Sequence, residues 1–249
     1  MEQVAKDCGW IGRHAYAHRG LHGAGRPENS IAAFAAAIEA GLGIECDLRK
    51  AADGRAMVFH DADLSRLTEA SGLLADRGVA ELTALTLRGS SEKIPTLRDM
   101  LMLVGGRVPL LLELKTERDR PVGPLCRAVR RDCEGYRGQL AVMSFDPRVA
   151  RWFTKHGSSF PVGLVVTEEG RPTLVAQVKR RLAVELAKPD FLALDVRDLP
   201  SGLSRRQIAR KAPLVSWTVD SAAALETALA AGAMPILEGA GVAAFQART

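Results

Sequence analysis

Nine short apolar or β-branched runs recur along the chain, at 15–18, 43–48, 56–60, 109–115, 140–145, 161–166, 191–194, 214–219 and 235–237. Longer amphipathic segments lie between most of them. Strands alternating with helix-length segments are the pattern of repeated βα units, in which helices carry the chain back so that successive strands run parallel. An α/β fold follows, and the count is one above the eight strands of a TIM-type (β/α)8 barrel. Residues 49–55 are too few for a crossover helix, so one strand is predicted to be irregular or that link to be an extended return.

The 249 residues suit a single barrel domain spanning 1–249. The segment at about 61–95 breaks the rhythm, being polar with Leu64, Leu67, Leu73, Leu82 and Leu85 at loose spacing. It is read as a small insertion after the third strand, packed on the barrel mouth. The clearest helix starts at Asn29 or Ser30, either of which can cap it, and places Ile31, Phe34, Ile38 and Leu42 on one face before stopping at 41–43.

Composition narrows the function classes. With 47% apolar residues, 23 Gly and 12 Pro, the chain is neither disordered nor collagenous. No run of about 18 apolar residues would span a membrane, and Met1 to Trp10 hold Glu2, Lys6 and Asp7 where a secretory segment needs apolar residues. Cys8, Cys46, Cys126 and Cys133 form no C-x-x-C pair and are expected as reduced thiols, which points to the cytoplasm. The net charge of +5 is dispersed, with clusters at Arg127, Arg130, Arg131 and at Lys179, Arg180, Arg181 that read as solvated helix faces. A nucleic-acid partner is not expected, whereas a small anionic substrate is. Neither a G-x-G-x-x-G fingerprint nor a Walker A loop supports a nucleotide fold.

Two strands carry acids where apolar residues are the rule. In Gly43-Ile44-Glu45-Cys46-Asp47-Leu48 the period of two puts Glu45 and Asp47 on one side, and Glu113 with Lys115 repeats the arrangement after Leu110-Leu111-Leu112. Three carboxylates at strand ends would meet at a barrel mouth and offer an all-oxygen site for Mg2+ or Ca2+; the same spacing also suits carboxylates paired with Arg or Lys. His18 and His60 each close a strand run and would face the same mouth. Two imidazoles can serve as the base and acid of a phosphodiester displacement, although each alone also suits a cap or a packing role. Arg19, followed by Gly20, Gly23 and Gly25, offers a guanidinium fork to phosphate or simply a turn. Trp217 and Phe145 suit either an apolar substrate wall or the core.

Taken in order, His18-Arg19-Gly20, Pro27-Glu28-Asn29-Ser30, Glu45-x-Asp47, Asp53-Gly54, His60-Asp61, Leu64-x-Arg66-x-Thr68, Glu113-x-Lys115, Ser144-Phe145-Asp146 and Trp217-Thr218-Val219 resemble the glycerophosphodiester phosphodiesterase family. The resemblance implies a TIM-type barrel that hydrolyses glycerophosphodiesters to sn-glycerol 3-phosphate and an alcohol with one divalent cation. It implies His18 and His60 as the catalytic pair and Glu45, Asp47 and Glu113 as metal ligands. It further implies Arg19 and Lys115 at the phosphate, and Phe145 with Trp217 beside the glycerol. Ala51, Asp220 and the ending Pro235-Ile236-Leu237-Glu238-Gly239 depart from the family's usual pattern, which bears on the closing strand and on substrate preference. A lysophospholipase D on the same barrel and a noncatalytic barrel that binds phosphate ligands are the rival expectations.

Overall fold

The computed structural model describes residues 6–167 and 173–248. Residues 1–5, part of the stretch read above for an export signal, lie outside the described residues. The strands are β1 (Tyr16–Ala17), β2 (Gly43–Lys50), β3 (Ala56–Val58), β4 (Leu110–Leu114), β5 (Leu140–Ser144), β6 (Val162–Val166), β7 (Phe191–Asp195), β8 (Leu214–Val219) and β9 (Met234–Leu237). They hydrogen-bond in the order β1-β9-β8-β7-β6-β5-β4-β2-β3, with a further pairing of β1 to β2, the closed order of a (β/α)8 barrel. The helices are α1 (Ile31–Glu39), α2 (Val79–Leu82), α3 (Leu97–Val104), α4 (Gly123–Asp132), α5 (Pro147–His156), α6 (Leu174–Ala187), α7 (Gly202–Ala209), α8 (Ala222–Ala230) and α9 (Ala240–Gln246).

By contact density the chain forms two compact units, Ala17–Gln139 and Met1–Tyr16 with Leu140–Thr249. In the first, β2 pairs parallel with β4, Asp47 opposite Glu113, and antiparallel with β3, Leu48 opposite Val58. The ninth strand is thus the return arm of a hairpin, which is why 49–55 needs no helix. Every residue of β2 from Gly43 to Leu48 is buried. The face opposite the acids packs against α3, with Cys46 Sγ 3.4 Å from Met100 Sδ.

Helix α1 begins as expected, but Ser30 alone caps it, its Oγ accepting the Ala33 N–H at 3.1 Å. Asn29 turns inward instead. Thr96 and Asp99 close a reciprocal capping box on α3. The insertion packs on the β2–β3 hairpin: Leu64, Leu74, Leu82, Leu87 and Ile94 are buried in one cluster with Ala51, Met57 and Phe59, and Leu67 and Leu85 pack against it. Leu73 stays exposed.

In the second unit, β6, β7, β8 and β9 pair parallel in sequence, with an irregularity between Ser216 and Val219. The atypical ending at 235–239 therefore still supplies a strand. Arg127, Arg130 and Arg131 on α4 lie exposed, as do Lys179 and Arg181 on α6. All four cysteines are free thiols. Among the described residues no helix is long and apolar enough to cross a membrane.

Candidate active site

The pleat of β2 and its register with β4 bring Glu45, Asp47 and Glu113 to one point, where a carboxylate oxygen from each lies within 4.8 Å of the others. All three are buried, and charge there persists only where cations or hydrogen bonds compensate it. Asp47 is compensated most fully. Its Oδ2 accepts from Asn29 Nδ2 at 2.9 Å and lies 3.3 Å from Arg19 Nε, while Oδ1 lies 3.0 Å from Lys115 Nζ. Glu113 Oε1 lies 2.5 Å from the same ammonium. Glu45 Oε2 accepts the Arg19 backbone N–H at 3.1 Å and stands 4.0 Å from His18 Nε2.

The three acids therefore titrate differently. Burial, then Asp47 and Glu113, push Glu45 up to about 8, against the pull of His18 and Lys115. Burial also works against the Asp47 anion, yet Lys115, Arg19, His60 and the Asn29 hydrogen bond hold it down at about 2. Burial and Asp47 raise Glu113 in spite of Lys115. Lys115 in turn is kept charged by Asp47 and Glu113 against its own burial.

Glu45 Oε1 is buried and accepts no hydrogen bond among the described residues, while Asp47 Oδ1 and Glu113 Oε1 meet the Lys115 ammonium. Carboxylate oxygens converging from three buried side chains are the donor set of a hard divalent cation. The trio fits one, and it offers oxygens rather than the nitrogen and sulfur that zinc sites favour.

Both histidines lie just past their strands, since β1 stops at Ala17 and β3 at Val58. After His18 the chain turns sharply: Arg19 adopts φ 56°, and Gly20 donates back to the Ala17 carbonyl at 3.2 Å. His60 is fixed at both ends, its carbonyl accepting from Arg49 Nε at 2.7 Å and its Nδ1 lying 2.7 Å from Asp61 Oδ1. Burial lowers the His60 imidazole; Asp47 opposes this, and Arg19 and Lys115 add to it.

A chain of ion pairs links the two histidine loops. Arg66 binds Asp61 through Nε and forks onto Glu28, NH1 to Oε2 at 2.9 Å and NH2 to Oε1 at 2.7 Å. Glu28 Oε1 also accepts from Arg19 NH1 at 2.7 Å. The sequence assigns no site role to Asn29, a candidate helix cap, or to Glu28, Asp61, Arg66 or Arg49. Four of the five sit inside the motifs that carried the resemblance, which was the available signal.

The seven expected residues His18, Arg19, Glu45, Asp47, His60, Glu113 and Lys115 thus assemble within the Ala17–Gln139 unit. Phe145 and Trp217 belong to the other unit, where their rings meet edge to face at 5.3 Å. Trp217 Nε1 donates to the Ala193 carbonyl at 3.3 Å, and Phe145 is 43% exposed, so neither is a plain core residue.

Fold and site together define a (β/α)8 barrel that carries a buried acidic cradle flanked by two imidazoles. The sequence profile of the glycerophosphoryl diester phosphodiesterase family matches residues 18–241, and the chain belongs to that family. Among curated relatives, it is 41% identical over 93 residues to YqiK of Bacillus subtilis (strain 168), covering 34% of this chain and 38% of that protein. It is 36% identical over 108 residues to a glycerophosphodiester phosphodiesterase of Caldanaerobacter subterraneus subsp. tengcongensis, covering 40% of this chain and 44% of that protein. The matched stretches thus span less than half the length of these relatives. Among solved structures, an Oleispira antarctica phosphodiesterase in complex with the product sn-glycerol-3-phosphate superimposes with a TM-score of 0.80 at 21% identity, over 94% of this chain and 96% of that one. A glycerophosphodiester phosphodiesterase of Thermotoga maritima does so with a TM-score of 0.72 at 25% identity, again over 94% and 96%.

Proposed function

We propose that this chain, acting as one catalytic domain in the cytoplasm, hydrolyses small glycerophosphodiesters to sn-glycerol 3-phosphate and an alcohol. The observation that carries this is the convergence of three buried carboxylates, two imidazoles, a guanidinium and an ammonium in a chain of this family. Glu45, Asp47 and Glu113 would hold one Mg2+ or Ca2+, which when bound supplies Lewis-acid neutralisation of a nonbridging phosphate oxygen.

The remaining work falls to side chains. Arg19, held in place by Asp47 and Glu28, and Lys115 beside it bring positive charge to the phosphate. His18 takes the proton from the attacking oxygen, that of water or of the neighbouring glycerol hydroxyl. His60 gives a proton to the departing alcohol oxygen as its bond to phosphorus breaks. The diester's own charge offsets Arg19 and Lys115, two of the groups that lower His60, and so favours the protonated imidazole when it is needed. Asp61 accepts at Nδ1 and leaves Nε2 to face the substrate. Phe145 and Trp217 are assigned to the carbon side of glycerol.

The test is release of glycerol 3-phosphate from glycerophosphocholine and glycerophosphoethanolamine after EDTA treatment and return of Mg2+ or Ca2+. His18→Ala and His60→Ala are each expected to lower turnover about a hundredfold to ten-thousandfold. Faster hydrolysis of lysophospholipid would assign the chain as a lysophospholipase D. No release from any of these diesters with either ion would leave a noncatalytic phosphate-binding barrel.

A further inference from the structure

A half-open cleft adjoins the acidic site within the Ala17–Gln139 unit. Two residues belong to both places. Lys115 lines the cleft while its ammonium contacts Asp47 and Glu113, and Arg49 lines it while holding the His60 carbonyl. A diester with its phosphate at Lys115 and its departing oxygen at His60 therefore directs its alcohol into this cleft. That assignment of arms rests on the catalytic roles proposed above.

The lining has a definite sign. Lys115 is matched by Asp47 and Glu113, and the other cations of the lining, Arg49, Lys50 and Arg120, face one lining carboxylate, Glu117, a surplus of two positive charges. Glu117 is already engaged, 3.7 Å from Arg49 NH1 and 2.8 Å from Arg120 Nε. Leu74 and Leu125 supply an apolar wall for the carbon skeleton of the bound alcohol. A quaternary ammonium finds only repulsion in such a lining, because no aromatic ring stands among the lining residues to form a cation–π cage. An anionic group finds several donors.

We infer that this cleft is a head-group subsite selecting diesters whose departing alcohol itself carries a phosphate-type anion. The reaction stays in balance: one water is consumed, the phosphorus–oxygen bond to the head group breaks, and the released alcohol keeps its anionic group. Bis(glycerophospho)glycerol is the probe, yielding glycerol 3-phosphate and glycerophosphoglycerol; glycerophosphoglycerol is the uncharged comparison and glycerophosphocholine the cationic one.

For the full chain at low ionic strength, kcat/KM is expected to be at least about tenfold higher for bis(glycerophospho)glycerol than for glycerophosphocholine, because each half-exposed charge contributes roughly two- to fivefold. Added salt should shrink the ratio. Lys50→Ala and Arg120→Ala should each lower it by about two- to fivefold, and a general loss of fold would lower both substrates together. A wild-type ratio at or below one, or a ratio unchanged in both variants, overturns the inference. If no diester is hydrolysed, the proposed function fails, and calorimetric binding of bis(glycerophospho)glycerol to the same three proteins still decides the subsite: weaker binding by the variants supports it, equal binding refutes it.

Discussion

Replacing Asn29 by alanine tests the account of the acidic site at a residue that is neither a proposed ligand nor a proposed acid or base. Asn29 is buried, donates from Nδ2 to Asp47 Oδ2 at 2.9 Å and accepts the Asp47 N–H on Oδ1 at 3.2 Å. Losing a hydrogen bond to a buried carboxylate costs about 1.5–3 kcal/mol, and an amide left without its acceptor about 1 kcal/mol more. The backbone adds a third contribution. Asn29 sits at φ 56°, a region that asparagine occupies more easily than alanine, for about 1 kcal/mol. The total is about 4 kcal/mol, which for a chain of this size lowers Tm by about 8–16 °C. Thermal unfolding of Asn29→Ala in EDTA measures this directly. Titration of the same variant with Mg2+ or Ca2+ should show about tenfold to hundredfold weaker binding, because Asp47 loses the group that orients it. A Tm within about 3 °C of the parent, together with unchanged ion affinity, would refute the view that Asn29 fixes Asp47.

Two further outcomes follow from the charge arrangement. With Glu45 raised to about 8 by burial and its acidic neighbours, the metal-free site is mostly protonated there at pH 7 and mostly ionised by pH 9. Ion binding must expel that proton, so calorimetry in buffers of different ionisation enthalpy should find nearly one proton released at pH 7, with affinity rising about tenfold per pH unit up to 8 and then levelling; an affinity flat from pH 6 to 8 contradicts the Glu45 assignment. The same shift has an opposite sign in stability: a carboxyl raised above its unfolded value favours the folded state most below about pH 4.5 and loses that contribution as pH climbs through 8. For His60, lowered in the free site, the alkaline limb of kcat/KM should fall below the ordinary imidazole range, and the limb of kcat should lie at higher pH once the diester's charge is present. Coincident limbs would remove His60 from the role of acid.

Much of this was legible in the sequence because it depends on short-range geometry. Nine apolar runs gave nine strands, and the period of two put Glu45 and Asp47 on one face, with Glu113 beside them in the parallel register. The short link at 49–55 excluded a crossover helix and left an irregular strand or an extended return, and the return is what forms. What stayed hidden depends on choices between equivalent partners or on distant pairs. Asn29 and Ser30 are both good caps, and nothing local says that Ser30 takes the helix while Asn29 turns 18 positions along the chain to Asp47. The Arg66 fork onto Glu28 spans 38 positions, with neither residue in a regular element. The histidines fell just outside their strands because the turn at Arg19 and the Asp61 and Arg49 contacts to His60 outcompete the ladder, which no periodicity reveals. Leu73 is exposed where Leu64 and Leu82 are buried, which the loose spacing of the insertion could not distinguish because it defines no face.

The two left-handed residues of the first loop that are not glycine, Arg19 and Asn29, meet at its base, the Asn29 N–H bonded to the Arg19 carbonyl at 2.9 Å. Each also ties the β2 acids down, Arg19 through Glu45 and Asn29 through Asp47. The loop is thereby pinched shut at its base, with Glu28 just inside the pinch tied to Arg19 and Arg66 and only the tip hanging outside the catalytic geometry. Residues 23–26, exposed and closed by their own reciprocal backbone bonds between Gly23 and Arg26, form a detachable tip. Length and sequence can drift there while the spacing from His18 to the carboxylates stays fixed, so the neck of this loop is the part that evolution or an engineer must leave alone and its crown the part open to grafting.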